Sequence, residues 1–169
     1  STGRTSLASH SGFDFGTNDF TVEFFYKWGS LGYNTLLDHK YTASDGFTLQ
    51  STHVARSWFI YGSVATYPTY ESSPGIAGIW HHYAIVRNHY DDTPSGNLKL
   101  YINGDYQTLN YIDNGAGTSN NWSLSGPGII GSNDGSSYFK GKLKNFRLWN
   151  CLRTQSQINS FKDIYIPTL

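Results

Sequence analysis

Hydrophobic positions in this chain recur every second residue, the spacing that sends successive side chains to opposite faces of a β-strand. The clearest run is Asp19 to Trp28, where Phe20, Val22, Phe24, Tyr26 and Trp28 share one face and Thr21, Glu23, Phe25 and Lys27 the other. Val54 to Tyr61 sets Trp58 and Ile60 against Phe59 and Tyr61. Ile79 to Arg87 sets Trp80, His82, Ala84 and Val86 against His81, Tyr83, Ile85 and Arg87. From Asn97 to Asn103, Leu98, Leu100 and Ile102 oppose Lys99 and Tyr101, and Asn103-Gly104 then supplies a hairpin turn into Tyr106–Leu109. Shorter strands are expected at Thr35–His39, Gly46–Gln50 and Gly128–Gly131. The last long strand, Lys140 to Trp149, shifts its alternation near Asn145-Phe146, which predicts a bulge.

Clusters of Gly, Pro, Ser and Asn separate these strands at Tyr67–Gly78, Tyr90–Gly96, Asp113–Gly128 and Ser132–Ser137. One helix is signalled: Thr154 with Gln157 three residues on forms a capping box, and Ile158 and Phe161 follow on one helical face. Repeated strands without βαβ alternation predict an all-β fold, a two-sheet antiparallel jelly-roll sandwich with one short C-terminal helix near residues 155–161. That helix is expected to plug one edge of the sandwich. At 169 residues, the whole of 1–169 is expected to be a single domain, because two would each have a thin core.

Composition narrows the function. Twelve basic residues balance twelve acidic ones, whereas a nucleic-acid binder carries a basic excess, so no nucleic-acid partner is expected. No apolar run approaches the roughly 18 residues of a membrane span, so no membrane insertion is expected. The N-terminus is too polar for a signal peptide, and Met is missing even at position 1, which implies a processed chain or an excised domain. Few charges and much Ser, Thr, Asn and Tyr suit the outside of a cell or particle. The lone Cys151 cannot form an internal disulfide and is expected to be a small buried thiol behind Trp149.

Three segments carry a resemblance. Phe13-Asp-Phe-Gly-Thr-Asn-Asp-Phe-Thr-Val-Glu-Phe-Phe25 resembles the opening strand of the laminin-G-like branch of concanavalin A-like sandwiches. Trp80-His-His-Tyr-Ala-Ile-Val-Arg87 with Leu98-Lys-Leu-Tyr-Ile-Asn-Gly104 resembles its central pair. Phe139 to Asn150 with Arg153-Thr-Gln-Ser-Gln-Ile158 resembles its closing strand and short helix. The match runs from about residue 4 to 160, and residues 13–25 are also similar to such domains in tailed-phage virion proteins. The resemblance implies a concanavalin A-like, laminin-G-like or pentraxin-like sandwich, a fold that hosts lectins, adhesion modules, virion proteins and glucanases.

The sequence disfavours a catalytic reading. Glucanases on this fold carry a Glu-x-Asp-x-x-Glu strand motif that sets two carboxylates about the sugar bond, and here the only glutamates are Glu23 and Glu71. Asp91-Asp92 are adjacent turn formers. Gly126-Pro-Gly-Ile-Ile-Gly131 matches a dinucleotide pattern but has no βαβ unit around it. No catalytic residue and no enzyme activity is therefore expected. The resemblance also implies a calcium site, but Lys144 and Thr2-Gly3 stand near where the family often has acidic residues, and an ammonium repels the ion. Asp38, Asp45 and Asp134 could still build another calcium site from loops, although lone aspartates of this kind more often serve turns. His81 and His82, adjacent in a strand, point to opposite faces and cannot chelate together. No metal and no cofactor is expected. Lys140, Lys142 and Lys144 alternate onto what is expected to be a solvated outer face.

Binding is the expected role, with a glycan or cell-surface polysaccharide as partner. An aromatic ring stacks on the C–H face of a sugar while neighbouring polar groups bond its hydroxyls. Strand aromatics such as Phe20, Phe24, Trp28, Trp58, Trp80 and Trp149 are expected in the core. Loop aromatics are the candidates: Tyr67, Tyr70, Tyr90, Tyr111 and Trp122. From these, the predicted ligand-binding set is Tyr67, Tyr70 and Trp122 as platforms, with Asn133 and Asp134 as hydroxyl contacts. The expected setting is extracellular or on a virion surface, with protein partners where the chain is part of a larger assembly. The alternatives are a structural or decoration protein without a glycan ligand, and a glycan-processing enzyme with an unrecognised site.

Overall fold

The computed structural model describes residues 5–8, 14–29, 34–38, 48–51, 58–61, 70–71, 78–90, 98–108, 110–111, 128–132 and 138–163. Twelve strands are described: β1 (Thr5–Leu7), β2 (Phe20–Trp28), β3 (Asn34–Asp38), β4 (Thr48–Ser51), β5 (Trp58–Tyr61), β6 (Tyr70–Glu71), β7 (Trp80–Arg87), β8 (Leu98–Ile102), β9 (Asp105–Gln107), β10 (Asn110–Tyr111), β11 (Gly128–Ile130) and β12 (Gly141–Trp149). One helix, α1 (Gln155–Lys162), follows. The strands form two five-stranded antiparallel sheets, ordered β1-β11-β3-β4-β5 and β12-β2-β7-β8-β9, and a two-stranded pair of β10 with β6.

The core lies between the two large sheets. Phe20, Val22, Phe24 and Tyr26 from β2, Tyr83 and Ile85 from β7, and Leu98 and Leu100 from β8 form one buried cluster with Leu36, Leu37 and Leu49 from the opposite sheet. Fully burying one such side chain is worth roughly 1.5–3 kcal/mol. Leu36 and Leu37 are consecutive yet both buried, because the register of β3 on β4 shifts between Thr35 and Leu37. The irregularity lets two neighbours in sequence serve the core where strict alternation allows one.

Local rules hold at the turns. Asn103 and Gly104 both have positive φ, 53° and 85°, as a two-residue hairpin between β8 and β9 requires. The β12 ladder on β2 shifts between Lys144 and Arg147, with Asn145 at φ 50°, so the bulge sits where the alternation fails. Thr154 caps α1 and Gln157 reaches back to it, completing the capping box.

The helix does not plug an edge. It covers the outer face of the second sheet, where Ile158 packs with Ala84, Val86 and Tyr101. Seven consecutive residues of β7, His81 to Arg87, are therefore buried, since that strand is covered on both sides. The same outer face carries Trp80 and Trp149, half-buried rather than in the core. Each indole faces a cation, with Lys144 Nζ 5.2 Å from the Trp80 ring centre and the Arg153 guanidinium 4.2 Å from that of Trp149. The side chains of Trp28 and Trp58 lie outside the described residues.

Candidate functional site

Three chain segments meet at one end of the second sheet, where the neighbouring strands β12, β2 and β7 begin or finish. The first is the turn leading into β2. Gly16 has φ 50°, and Asn18 N–H donates to Phe15 O at 2.7 Å, closing the turn. Phe15 anchors it by inserting into the core and stacking on Phe20 at 4.8 Å. This arrangement leaves Asp14, Asn18 and Asp19 at the surface.

The second segment follows β7. Arg87 is fully buried and donates Nη1–H to Asn18 O at 2.7 Å, binding the turn from below. Burial pulls the guanidinium pKa down to about 10, partly countered by the carboxylate of Asp19. Asp19 Oδ1 also accepts the His89 backbone N–H at 2.7 Å. Tyr90 N–H donates to Asn88 Oδ1 at 3.1 Å, and the His89 and Tyr90 rings meet edge-on at 5.3 Å. His89 Nδ1 is shielded from solvent and has no hydrogen-bond partner among the described residues. The Tyr90 side chain, by contrast, is 85% exposed.

The third segment follows β12. Thr21 Oγ1–H donates to Cys151 O at 2.9 Å, and Arg153 N–H donates to Thr21 Oγ1 at 3.1 Å, fixing Asn150, Cys151 and Leu152 beside the β2 turn. The three segments line a surface depression of about 460 Å³. Its chemistry is an exposed phenol ring, two carboxylates, two carboxamides and an imidazole, with Phe15 and Leu152 as apolar contacts. That combination offers one stacking face and several hydroxyl partners around it.

Tyr67, Trp122, Asn133 and Asp134 lie outside the described residues. Tyr70 sits in β6 opposite Tyr111, but neither side chain is among those described. The arrangement of the predicted ligand-binding set therefore falls outside the described residues. Of the loop aromatics, Tyr90 is the one found at a described depression. Asp14, Asn18, Asp19, His89 and Asn150, which line this depression, were not among the residues expected from sequence to bind a ligand. A signal was present: Thr17-Asn18-Asp19 and Asn88-His89-Tyr90 are polar tripeptides placed at the ends of the two strongest strands.

Cys151 is exposed, not buried behind Trp149. The strand ends at Trp149, and Arg153 instead occupies the space over that indole. Glu23, the strand carboxylate that a glucanase reading would use, is 1% exposed and ion-paired to Arg153 at 2.7 Å, with His82 Nε2 at 3.7 Å. At the position where the resemblance implies a calcium ligand, Lys144 places an ammonium over Trp80, so these residues do not fit the ion. Among the described residues, no group of three or more His, Cys, Asp or Glu is placed to hold a metal. Nor is any described helix long and apolar enough to cross a membrane.

The family model described as the concanavalin A-like lectin/glucanases superfamily matches residues 1–159. A carbohydrate-binding protein of Bacteroides ovatus, so described on a provisional basis, is similar in structure, with TM-score 0.66 and 19% identity over 92% of this chain and 43% of that one. A botulinum neurotoxin type C structure, described by its interaction with two ganglioside molecules, gives 0.59 and 15% over 95% of this chain and 39% of that one. Domain 4 of an extracellular arabinanase from Geobacillus stearothermophilus, in complex with arabinotriose, gives 0.55 and 18% over 85% and 66%. This chain spans less than half the length of the first two. At these identities the likeness is one of fold. A comparison with curated protein sequences gives no match.

Proposed function

We propose that this chain, which belongs to the concanavalin A-like lectin/glucanase superfamily, is a non-catalytic carbohydrate-binding or adhesion domain that seats a sugar ring against Tyr90. The observation that carries the reading is the 85% exposure of Tyr90 at the rim of a depression edged by Asp14, Asn18 and Asn150. An exposed ring gains little from folding and is suited to stacking on a ligand. The fold neighbours that bind glycans support the same role. Asp19 argues for binding over hydrolysis, since one oxygen of its carboxylate already accepts the His89 amide, which fixes it in place. A setting outside the cell, on a cell or virion surface, belongs to this proposal and is supported by the scarcity of charged residues, 14% of the chain.

A glycan array followed by titration calorimetry tests it. Tyr90→Ala should fold with unchanged melting temperature and bind its best array ligand roughly tenfold more weakly, the loss of one stacking contact of about 1–2 kcal/mol. Unchanged binding in Tyr90→Ala, with loss in Tyr67→Ala or Trp122→Ala, moves the site to the loops expected from sequence. No array signal from the parent protein, together with a stable assembly in solution, favours the decoration reading. Release of reducing sugar that stops in Asp14→Asn makes it an enzyme.

A further inference from the structure

Resting on that reading of the depression, we infer that its ligand is an uncharged sugar presenting adjacent hydroxyls, and that acidic sugars bearing carboxylate or sulfate are rejected. Asp14 and Asp19 both line the depression, and no Lys or Arg among the described residues does. Arg87 is fully buried beneath the turn and spends Nη1 on Asn18 O. Its charge faces Asp19 from the protein side and is not presented to a ligand. A carboxylate accepts hydrogen bonds only, so its natural partner is a hydroxyl pair, and charge assistance shortens and strengthens such bonds. Asn18 and Asn150 add amide groups that donate as well as accept, matching hydroxyls that play both parts. A second anion brought within about 4–6 Å of these carboxylates meets repulsion on the order of a tenfold loss in affinity.

Lys27 and Lys142 face each other across β2 and β12, and Lys144 stands over Trp80, toward the opposite end of those strands. The depression therefore has a charge character of its own, opposite to what sialylated or sulfated glycans require.

Matched pairs on one array test this: lactose against 3′-sialyllactose, and neutral gluco-oligosaccharides against their uronate and sulfate counterparts, with the best neutral probe then titrated by calorimetry. The neutral member of each pair should bind at least tenfold more tightly at low salt, and the gap should narrow at 1 M salt as screening sets in. Asp14→Asn should shrink the gap several-fold. Asn150→Asp, which adds charge at an exposed position, should widen it. Equal or tighter binding of acidic probes, lost in Tyr90→Ala, would overturn the charge selection while leaving the site in place. Binding of either class that is indifferent to Tyr90→Ala would overturn the site itself, and this inference with it.

Discussion

Arg153 Nε lies 2.7 Å from Glu23 Oε1, an ion pair with 7% and 2% of the two side chains exposed. It is close in distance but not aligned as a hydrogen bond. The guanidinium lies against both the Trp149 and the Phe161 rings, at 4.2 and 4.4 Å, and donates Nη2–H to Gln157 O at 2.8 Å. One side chain thus ties β2, β12 and α1 together on the outer face of the second sheet. Glu23→Gln leaves the buried cation without its counter-charge and should cost about 3 kcal/mol. For a chain of this size that is a fall in melting temperature of roughly 6–12 °C. Replacing both partners, with Glu23→Leu and Arg153→Leu, should recover part of the loss, because two apolar groups leave no stranded charge. A calorimetric scan showing Glu23→Gln within 1 °C of the parent would contradict this account.

Gly104 governs how closely the β8–β9 turn approaches the helix. Its φ is +85°, a Cβ there would run into the Asn159 side chain, and its carbonyl accepts Gln155 Nε2–H at 2.9 Å. Gly104→Ala should lose about 2–3 kcal/mol through strain and collision together. Adding Asn159→Ala should return the collision part and leave the strain. Urea unfolding midpoints of the single and double variants separate the two contributions.

Stability at high pH should be limited in part by Tyr101. Burial raises its phenol pKa, and neighbouring Tyr106 adds to the shift. The unfolded chain releases this proton near pH 10, while the native chain still holds it. The contribution is complete below pH 10 and disappears as pH climbs through the raised native value. Arg87 acts in the opposite sense, since its native pKa of about 10 lies below the ordinary guanidinium range, so this group favours the native state more as pH rises above 10. Tyr101→Phe should flatten the decline of melting temperature between about pH 9 and 11. An unaltered slope would remove Tyr101 from the account.

Cys151 reports on the depression. It is exposed and lines the cavity, and it is the chain's only cysteine. A thiol reagent should label the native protein once without denaturant, and a saturating sugar should slow the reaction several-fold. Labelling that needs denaturant, or that sugar leaves unchanged, would place Cys151 away from the ligand.

What the sequence determined by itself were the features governed by neighbours along the chain. Period-two alternation set β2, β7 and β8, and a break in it marked the Asn145 bulge. Asn103-Gly104 fixed the hairpin because few residues take positive φ, and Thr154 with Gln157 started the helix because their side chains satisfy its first amides. Tertiary structure decided where those pieces went. Whether α1 plugs an edge or covers a face depends on Ile158 finding Ala84, Val86 and Tyr101, residues far from it along the chain. That docking buries both faces of β7, and the cation over each outer-face indole gives Trp80 and Trp149 a place outside the core. The candidate site is the extreme case. Its walls, residues 14–15, 18–19, 89–90 and 150–152, become neighbours only because β12, β2 and β7 are adjacent in one sheet. Alternation along a strand specifies which way a side chain points, but carries no information about which strand ends will share a rim.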